Sequence, residues 1–123
     1  MDSKPPVVLI VDDDAFVRAV IADALKDEGY TLLEARDGDE ALNRLTQDKP
    51  AVVLLDLFMP KKSGLEALSE MRRRAPACAV LVISSMDSDA LVAQALRQGA
   101  AGFISKPFHP LEISKAVRGL LGL

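Results

Sequence analysis

Five strand-like segments alternate with five helix-like segments along this chain of 123 residues, and no other feature limits the fold as strongly. The first apolar run, Val7–Val11, is followed from Ala15 to Glu28 by helical periodicity, which Gly29 can end. Strands that alternate with helices of about ten residues predict βαβ units, a parallel sheet and helices on both of its faces. We therefore predict an α/β fold, a doubly wound five-stranded parallel sheet with five helices.

The other segments continue this pattern to the end of the chain. The later strands are predicted at 30–35, 51–55, 79–83 and 102–105, and the later helices at 39–47, 63–74, 88–98 and 110–121. Charged residues lie within and on both sides of the second predicted strand, which makes it a candidate edge strand. The first helix is expected to bury a broad apolar face that includes Phe16. We treat residues 1–6 as an N-terminal extension and 7–123 as one domain.

Composition narrows the class of protein. Half of the residues are hydrophobic and 27% are charged, which is typical of a globular domain, and the net charge of −3 argues against direct binding of nucleic acid. The single cysteine, Cys78, excludes an internal disulfide and is expected to pack as a small hydrophobe. No apolar run approaches the ~18 residues of a membrane span, and no signal-peptide pattern is present. We expect a cytoplasmic protein that contacts neither nucleic acid nor membrane.

Acidic residues follow two predicted strands at the points where these strands end. Asp12, Asp13 and Asp14 follow the first strand, and Asp56 follows the third. Because the carboxyl ends of parallel strands meet at one edge of a sheet, we expect these acids to lie close together. Confined carboxylates repel each other unless a cation lies between them, and their oxygens suit Mg²⁺. Asp14, the last residue before a helix, is interpreted as an N-cap instead.

Hydroxyl groups and a lysine are predicted at the same edge. Ser84 and Ser85 end the fourth strand, and Lys106 follows the fifth. A carboxylate nucleophile beside a cation, a lysine and a hydroxyl is suited to phosphoryl transfer. His109, just before the last helix, is expected to be a cap or a surface residue.

These residues form motifs that resemble the receiver domain of two-component response regulators over nearly the whole chain, in matching order and spacing. The motifs are Val11-Asp12-Asp13, Leu55-Asp56 with Met59-Pro60 and Gly64 after it, Ile83-Ser84-Ser85, and Gly102-Phe103-Ile104-Ser105-Lys106-Pro107-Phe108. The resemblance implies a flavodoxin-like receiver fold and a role in phosphorelay signal transduction.

The resemblance also implies a function for individual residues. Asp56 would be the phosphoacceptor, which takes a phosphoryl group from a sensor histidine kinase or a histidine phosphotransfer protein. Mg²⁺ would be held by Asp12, Asp13, Asp56 and the backbone carbonyl of Phe58. Lys106 would pair with the phosphoryl oxygens.

The implied output is a change in partner binding. Ser84 would be the switch hydroxyl, and the rotamer of Phe103 would follow it. The bond between Lys106 and Pro107 is usually cis in this family. The surface of helix four, strand five and helix five would then bind a downstream protein target, and the chain would be a monomer or a weak homodimer through that surface. Its catalysis would be limited to its own phosphorylation and dephosphorylation.

Two positions differ from the common pattern of the family in a way that affects how long a phosphoryl group would stay on Asp56. Phe58 and Met86 are apolar where the family tunes the access of water to the aspartyl phosphate, so we predict a long-lived phosphoryl group.

Rival interpretations are a receiver-like interaction module that is independent of phosphorylation, and a Mg²⁺-dependent phosphatase. A nucleotide-binding fold is disfavoured because no glycine-rich loop follows the first strand. The last helix reaches the end of the sequence, so we expect no output domain in this chain, which can be a whole protein or part of a longer one.

Overall fold

The computed structural model describes residues 4–59 and 62–123. Its strands are β1 (Val7–Val11), β2 (Thr31–Ala35), β3 (Val52–Leu55), β4 (Ala79–Ser84) and β5 (Gly102–Ser105). Its helices are α1 (Ala15–Leu25), α2 (Gly38–Asp48), α3 (Gly64–Arg74), α4 (Asp89–Arg97) and α5 (Pro110–Leu120). All strand pairs are parallel and the strand order is β2-β1-β3-β4-β5, so the predicted α/β architecture and the edge position of β2 are confirmed.

Strand register brings the carboxyl ends of the central strands to the same level. Val11 at the end of β1 pairs with Leu55 at the end of β3, and Ser84 at the end of β4 pairs with Ser105 at the end of β5. The residues that follow these strands therefore share one edge of the sheet, which we call the carboxyl edge. The opposite edge is called the amino edge.

The core consists of two apolar layers, one on each face of the sheet. One layer packs α1 and α5 against the sheet through residues such as Ile21 and Ile113. The other packs α2, α3 and α4 through residues such as Leu42, Leu68 and Ala95. Burial of a leucine or isoleucine side chain stabilises a fold by roughly 1.5–3 kcal/mol, so these layers hold the strand ends in place.

Each of the five helices begins at a side chain that accepts a hydrogen bond from the backbone of the first turn. These caps are Asp14, Asp37, Ser63, Ser88 and His109. The carboxylate of Asp14 accepts the N–H of Phe16 at 2.8 Å, which confirms its predicted capping role. His109 is likewise a cap, and Glu112 completes a capping box with it.

The first helix differs from its prediction at both ends. It stops at Leu25 rather than Glu28, because the N–H of Glu28 bonds to the Leu25 carbonyl in a tighter turn before Gly29 reverses the chain at φ +82°. Phe16 was expected to be buried but is 75% exposed. It lies in the first turn of α1, at the carboxyl edge, where the sheet ends beneath the helix.

The predicted N-terminal extension is described only in part, since residues 1–3 lie outside the described ranges. The carbonyl of Pro6 accepts the N–H of Thr31 at 2.9 Å, which extends the pairing of β1 and β2 by one residue. Throughout residues 4–59 and 62–123, the helices are too short or too polar to span a bilayer.

Candidate functional site

Three carboxylates converge at the carboxyl edge. Asp12 and Asp56 follow paired strands, and the N–H of Asp56 donates to the Val11 carbonyl at 3.0 Å. With Asp13, each offers one oxygen such that all three oxygens lie within 4.8 Å of one another. Asp12 is 2% and Asp56 6% exposed, whereas Asp13 is exposed. Two acids are therefore shielded from water, and one faces it.

Lys106, which directly follows the edge strand β5, places its ammonium group beside this cluster. Its Nζ lies 2.8 Å from Oδ2 of Asp12 and 3.5 Å from Oδ2 of Asp56. Its backbone N–H donates to the Ser84 carbonyl at 2.9 Å, which continues the pairing of β4 and β5, and its bond to Pro107 is cis. The lysine is thus held beside the acids by both its backbone and its side chain.

Burial and charge act differently on the two members of this ion pair. Burial raises the pKa of Asp56, although the Phe58 N–H (3.2 Å from Oδ1) and the Lys106 charge act to lower it. Burial lowers the pKa of Lys106, but the hydrogen bond to Asp12 and the charge of Asp56 outweigh it, so the net direction is upward. Because Lys106 lies closer to Asp12, Asp56 is the less compensated carboxylate.

Ser84 and Phe103 are adjacent on the face of the sheet that packs against α2, α3 and α4. Phe103 pairs with Val82 across β4 and β5, and Ser84 is two residues beyond Val82 on the same face. Ser84 is fully buried, and its Oγ accepts the N–H of Met86 at 3.1 Å. Phe103 is half-buried.

Two exposed apolar side chains flank the acids. Phe58 and Met86 lie two residues after Asp56 and Ser84, and they are 69% and 50% exposed. Ser85 is also exposed. Pro60, part of one predicted motif, lies outside the described residues.

An apolar cleft of about 390 Å³ adjoins the site. Its lining includes Phe16 and Val20 of α1, Pro107 and Phe108 after β5, and Lys106 itself. A contiguous exposed apolar surface beside buried charges is typical of a protein-binding surface.

Sequence reasoning did not identify Arg18, which also reaches the site. Its Nη1 donates to the Asp12 backbone carbonyl at 2.6 Å, and its Nε donates to Oε1 of Glu34 at 2.8 Å. The only available signal was a basic residue one turn into a helix that starts at an acidic cluster. That signal is weak, because it does not reveal which atoms the side chain reaches.

The acids fit a magnesium ion. Magnesium takes oxygen ligands at about 2.1 Å, so oxygens on opposite sides of the ion lie about 4.2 Å apart. The carboxylate oxygens of Asp12, Asp13 and Asp56 already lie within 4.8 Å of one another, so small side-chain adjustments suffice. Carboxylates are also the ligand type that magnesium prefers.

Comparison with known proteins agrees with this geometry. The family model of the response regulator receiver domain matches residues 8–118. The chemotaxis protein CheY of Thermotoga maritima is 38% identical over 111 residues, which cover 89% of this chain and 92% of that protein. The receiver domain of NtrX from Brucella abortus is 32% identical with a TM-score of 0.88, and the match covers 94% of this chain and 98% of that one. Chemotaxis protein CheY4 of Vibrio cholerae is 28% identical with a TM-score of 0.87 over the same shares.

The chain therefore belongs to the receiver-domain family of two-component response regulators. Receiver domains are phosphoacceptors rather than conventional enzymes, and they interact with histidine kinases and downstream effectors. The predicted resemblance is confirmed, and the phosphorylation-independent interaction module is not favoured.

Proposed function

We propose that this receiver domain, residues 7–123, accepts a phosphoryl group on Asp56 with Mg²⁺ bound by Asp12, Asp13, Asp56 and the Phe58 carbonyl. The observation that carries this proposal is the contact of Lys106 with both Asp12 and Asp56, at 2.8 and 3.5 Å. It joins a cation to two buried acids at the edge where a phosphoryl group would be received.

In the proposed step, a carboxylate oxygen of Asp56 attacks the phosphorus of a phosphohistidine. The new O–P bond forms as the N–P bond breaks, and the imidazole leaves with the bonding electron pair and takes up a proton from water. Bound Mg²⁺ would neutralise charge on the phosphoryl oxygens. The upward direction of the Asp56 pKa favours reaction of a carboxylate that is only partly stabilised by its neighbours.

The protein's own residues supply the remaining positioning and charge. Lys106 is held close to Asp56 and stays protonated, so it can pair with a phosphoryl oxygen. Asp12 accepts a second contact from the same ammonium group and so helps to fix the position of Lys106. The same arrangement would let the domain catalyse its own phosphorylation and dephosphorylation without a separate enzyme.

We assign the switch to Ser84 and Phe103. A phosphoryl group adds charge and three acceptor oxygens, and the Ser84 hydroxyl can move to donate to one of them. Since Phe103 lies next to it on the same face, the ring would turn inward and change the surface of α4, β5 and α5. That surface would bind the downstream target, and a monomer or weak homodimer through it is expected.

The phosphodonor would be a sensor histidine kinase or a histidine phosphotransfer protein of the cytoplasm. It must cover the carboxyl edge to bring its histidine to Asp56 and to exclude water. The cleft at Phe16, Val20 and Phe108 is the apolar surface beside that path. We therefore place the donor on α1 and the segment after β5.

The proposal is tested by incubating the protein with acetyl phosphate and Mg²⁺ and measuring its intact mass. We expect one added phosphoryl group, which is lost in Asp56→Asn and greatly reduced in Asp13→Asn. Asp14→Asn is the matched control, because it changes an adjacent acid that caps α1 and should be phosphorylated normally. A phosphoryl group on Asp56→Asn would contradict the assignment, and turnover of many phosphate esters would favour the phosphatase.

A second experiment addresses the lifetime of the phosphoryl group. The side chains of Phe58 and Met86 are exposed at the site but carry no hydrogen-bond donor and no strong acceptor that would position a water molecule, so we expect slow hydrolysis. Replacing Phe58 by Asn should shorten the lifetime, whereas Phe16→Asn, which changes another exposed aromatic residue, should not. A lifetime of seconds for the unmodified chain with Mg²⁺ would refute this prediction.

A further inference from the structure

We infer that Arg18 is a positioning residue that sets the direction of the Asp13 carboxylate, and through it the affinity of the site for Mg²⁺. This inference rests on the proposed metal site. Arg18 lies at the end of the first turn of α1, and its side chain is only 16% exposed. Its guanidinium donates in two directions, to the Asp12 backbone carbonyl at 2.6 Å and to Glu34 on β2 at 2.8 Å.

Asp12 does not need Arg18 to hold its side chain. Its Oδ1 accepts the N–H of Asp14 at 2.9 Å, and its Oδ2 accepts Nζ of Lys106 at 2.8 Å. Its own N–H donates to the Ala35 carbonyl at 3.1 Å. The contact with Arg18 therefore acts on the one remaining polar atom of this residue, the carbonyl oxygen.

Asp13 is in a different position. It is exposed, and within residues 4–59 and 62–123 no hydrogen bond or ion pair holds its carboxylate. The direction of this side chain therefore depends on the backbone that leads into it. The Asp12 carbonyl and the Asp13 N–H belong to one rigid peptide plane, so the group that holds the carbonyl also limits the rotation of that plane.

Charge and geometry predict opposite consequences of losing Arg18. As a cation near a cation site, Arg18 would oppose Mg²⁺ binding by charge, and its removal would tighten binding. If its function is to position Asp13, removal weakens binding instead. Glu34 pairs with the guanidinium, which offsets the unfavourable charge while leaving the geometric function in place.

Lysine cannot substitute for this arginine. The guanidinium presents several donors in a rigid fork, so it can bond Glu34 and the Asp12 carbonyl at the same time with fixed geometry. An ammonium group keeps the charge but loses that fork. Arg18→Lys therefore separates charge from positioning.

The experiment measures Mg²⁺ affinity by calorimetry, and the amide resonance of Asp13 by NMR before any Mg²⁺ is added. For Arg18→Met we expect affinity lower by about 10-fold or more, which is the usual effect of losing a group that orients a metal ligand. Arg18→Lys should also bind more weakly, and Glu34→Gln should show a smaller loss. In each case the Asp13 amide should shift or broaden.

The matched control is Arg36→Met. Arg36 directly follows β2 and pairs with Glu40, but its side chain is 74% exposed and its removal should leave Mg²⁺ affinity unchanged. Wild-type or tighter binding by a folded Arg18→Met would overturn the inference, as would lower stability with unchanged affinity. If Arg18→Met does not fold, the same criteria apply to Arg18→Lys. Failure of the unmodified protein to bind Mg²⁺ would instead contradict the proposed function.

Discussion

The carboxyl edge and the amino edge are built from the same five strands, yet they differ in chemistry. At the carboxyl edge, Lys106 pairs with the buried carboxylates of Asp12 and Asp56 beside a cleft of about 390 Å³. At the amino edge, a larger cleft of about 580 Å³ is lined mostly by apolar groups such as those of Leu45 and Cys78. The larger cleft is therefore the one without converging acids.

The difference shows that cleft volume does not locate the site in this molecule. Charged side chains at the rim of the amino-edge cleft point to separate partners: Arg74 pairs with Glu70 at 3.1 Å, while Lys49 is an exposed residue at the end of α2. At the carboxyl edge, Asp12 and Asp56 instead share Lys106 as a partner, and burial with these contacts raises the pKa values of Asp56 and Lys106. Mutations at the carboxyl edge should therefore affect Mg²⁺ binding as well as stability, whereas mutations at the amino edge should affect stability alone.

The largest effect is expected for Gly64→Ala at the carboxyl edge. A Cβ at Gly64 would lie 2.2 Å from Cα of Leu57, so the loop after Asp56 must move. We expect a loss of about 3 kcal/mol in the free energy of unfolding, measured in urea, together with weaker Mg²⁺ binding.

Gly119→Ala is the control, because nothing lies within 4 Å of its added Cβ in α5. It should stabilise the protein by about 0.5 kcal/mol, as alanine favours helix. Equal stability of Gly64→Ala and the unmodified chain would show that the loop tolerates displacement.

For Asp56→Asn without Mg²⁺ we expect a gain in the free energy of unfolding, smaller in size than the loss expected for Gly64→Ala. Burial raises the pKa of Asp56 in the folded state, so the native protein binds this proton more readily than the unfolded chain does. Stability is then lost as pH rises from the unfolded value of 3.8 through the folded pKa. At pH 7 the variant should be more stable than the unmodified chain, and the difference should vanish below the unfolded pKa.

Urea unfolding at several pH values provides the measurement. Asp27→Asn, which changes an exposed acid in the turn after α1, is the matched control and should not reproduce the pH-dependent gain. A stability difference that grows toward low pH would contradict the expected sign.

At the amino edge, Cys78→Ala should cost about 1–2 kcal/mol of stability and leave Mg²⁺ affinity unchanged. The thiol is buried, and burial raises its pKa to about 11, from an ordinary value of 9.0. At pH 8 the folded protein should therefore react with iodoacetamide about 100-fold more slowly than the unfolded chain, because the thiolate is the reactive form. Rapid alkylation of the folded protein would show that this edge opens readily.

The smallest effect is expected for Asp14→Ala, which tests whether every acid at the carboxyl edge belongs to the site. Loss of the N-cap should cost about 1 kcal/mol. Mg²⁺ affinity should not change, because the Asp14 carboxylate is used by the N–H of Phe16. Calorimetric titration checks this, and weaker Mg²⁺ binding at full folding would place Asp14 among the ligands.

Much of this fold was predictable because its signals are local. The ends of the strands were predicted to within one residue, since they depend on short apolar runs and on the turn residues around them. The end of α1 was predicted three residues too late, because the tight turn after Leu25 keeps helical spacing as far as Glu28.

Predictions about exposure were less secure. The prediction for Phe16 was wrong because periodicity cannot show where the sheet ends beneath a helix. Arg72 lies in the last turn of α3, and its guanidinium donates to the Cys78 carbonyl and packs over Gly99, contacts that helical periodicity does not predict. Arg18 was missed for the same reason: the partners of a long side chain depend on neighbouring elements.

The sequence by itself determined the order of the elements, the cap at Asp14 and the kinds of residue delivered to the carboxyl edge, because each depends on neighbours only a few positions away. Only the tertiary structure decided which of those residues touch. Lys106 bonds to Asp12 across 94 positions of sequence, and that contact depends on the register of β1, β3, β4 and β5. Periodicity does not specify pairing between strands, whereas packing of the two apolar layers does.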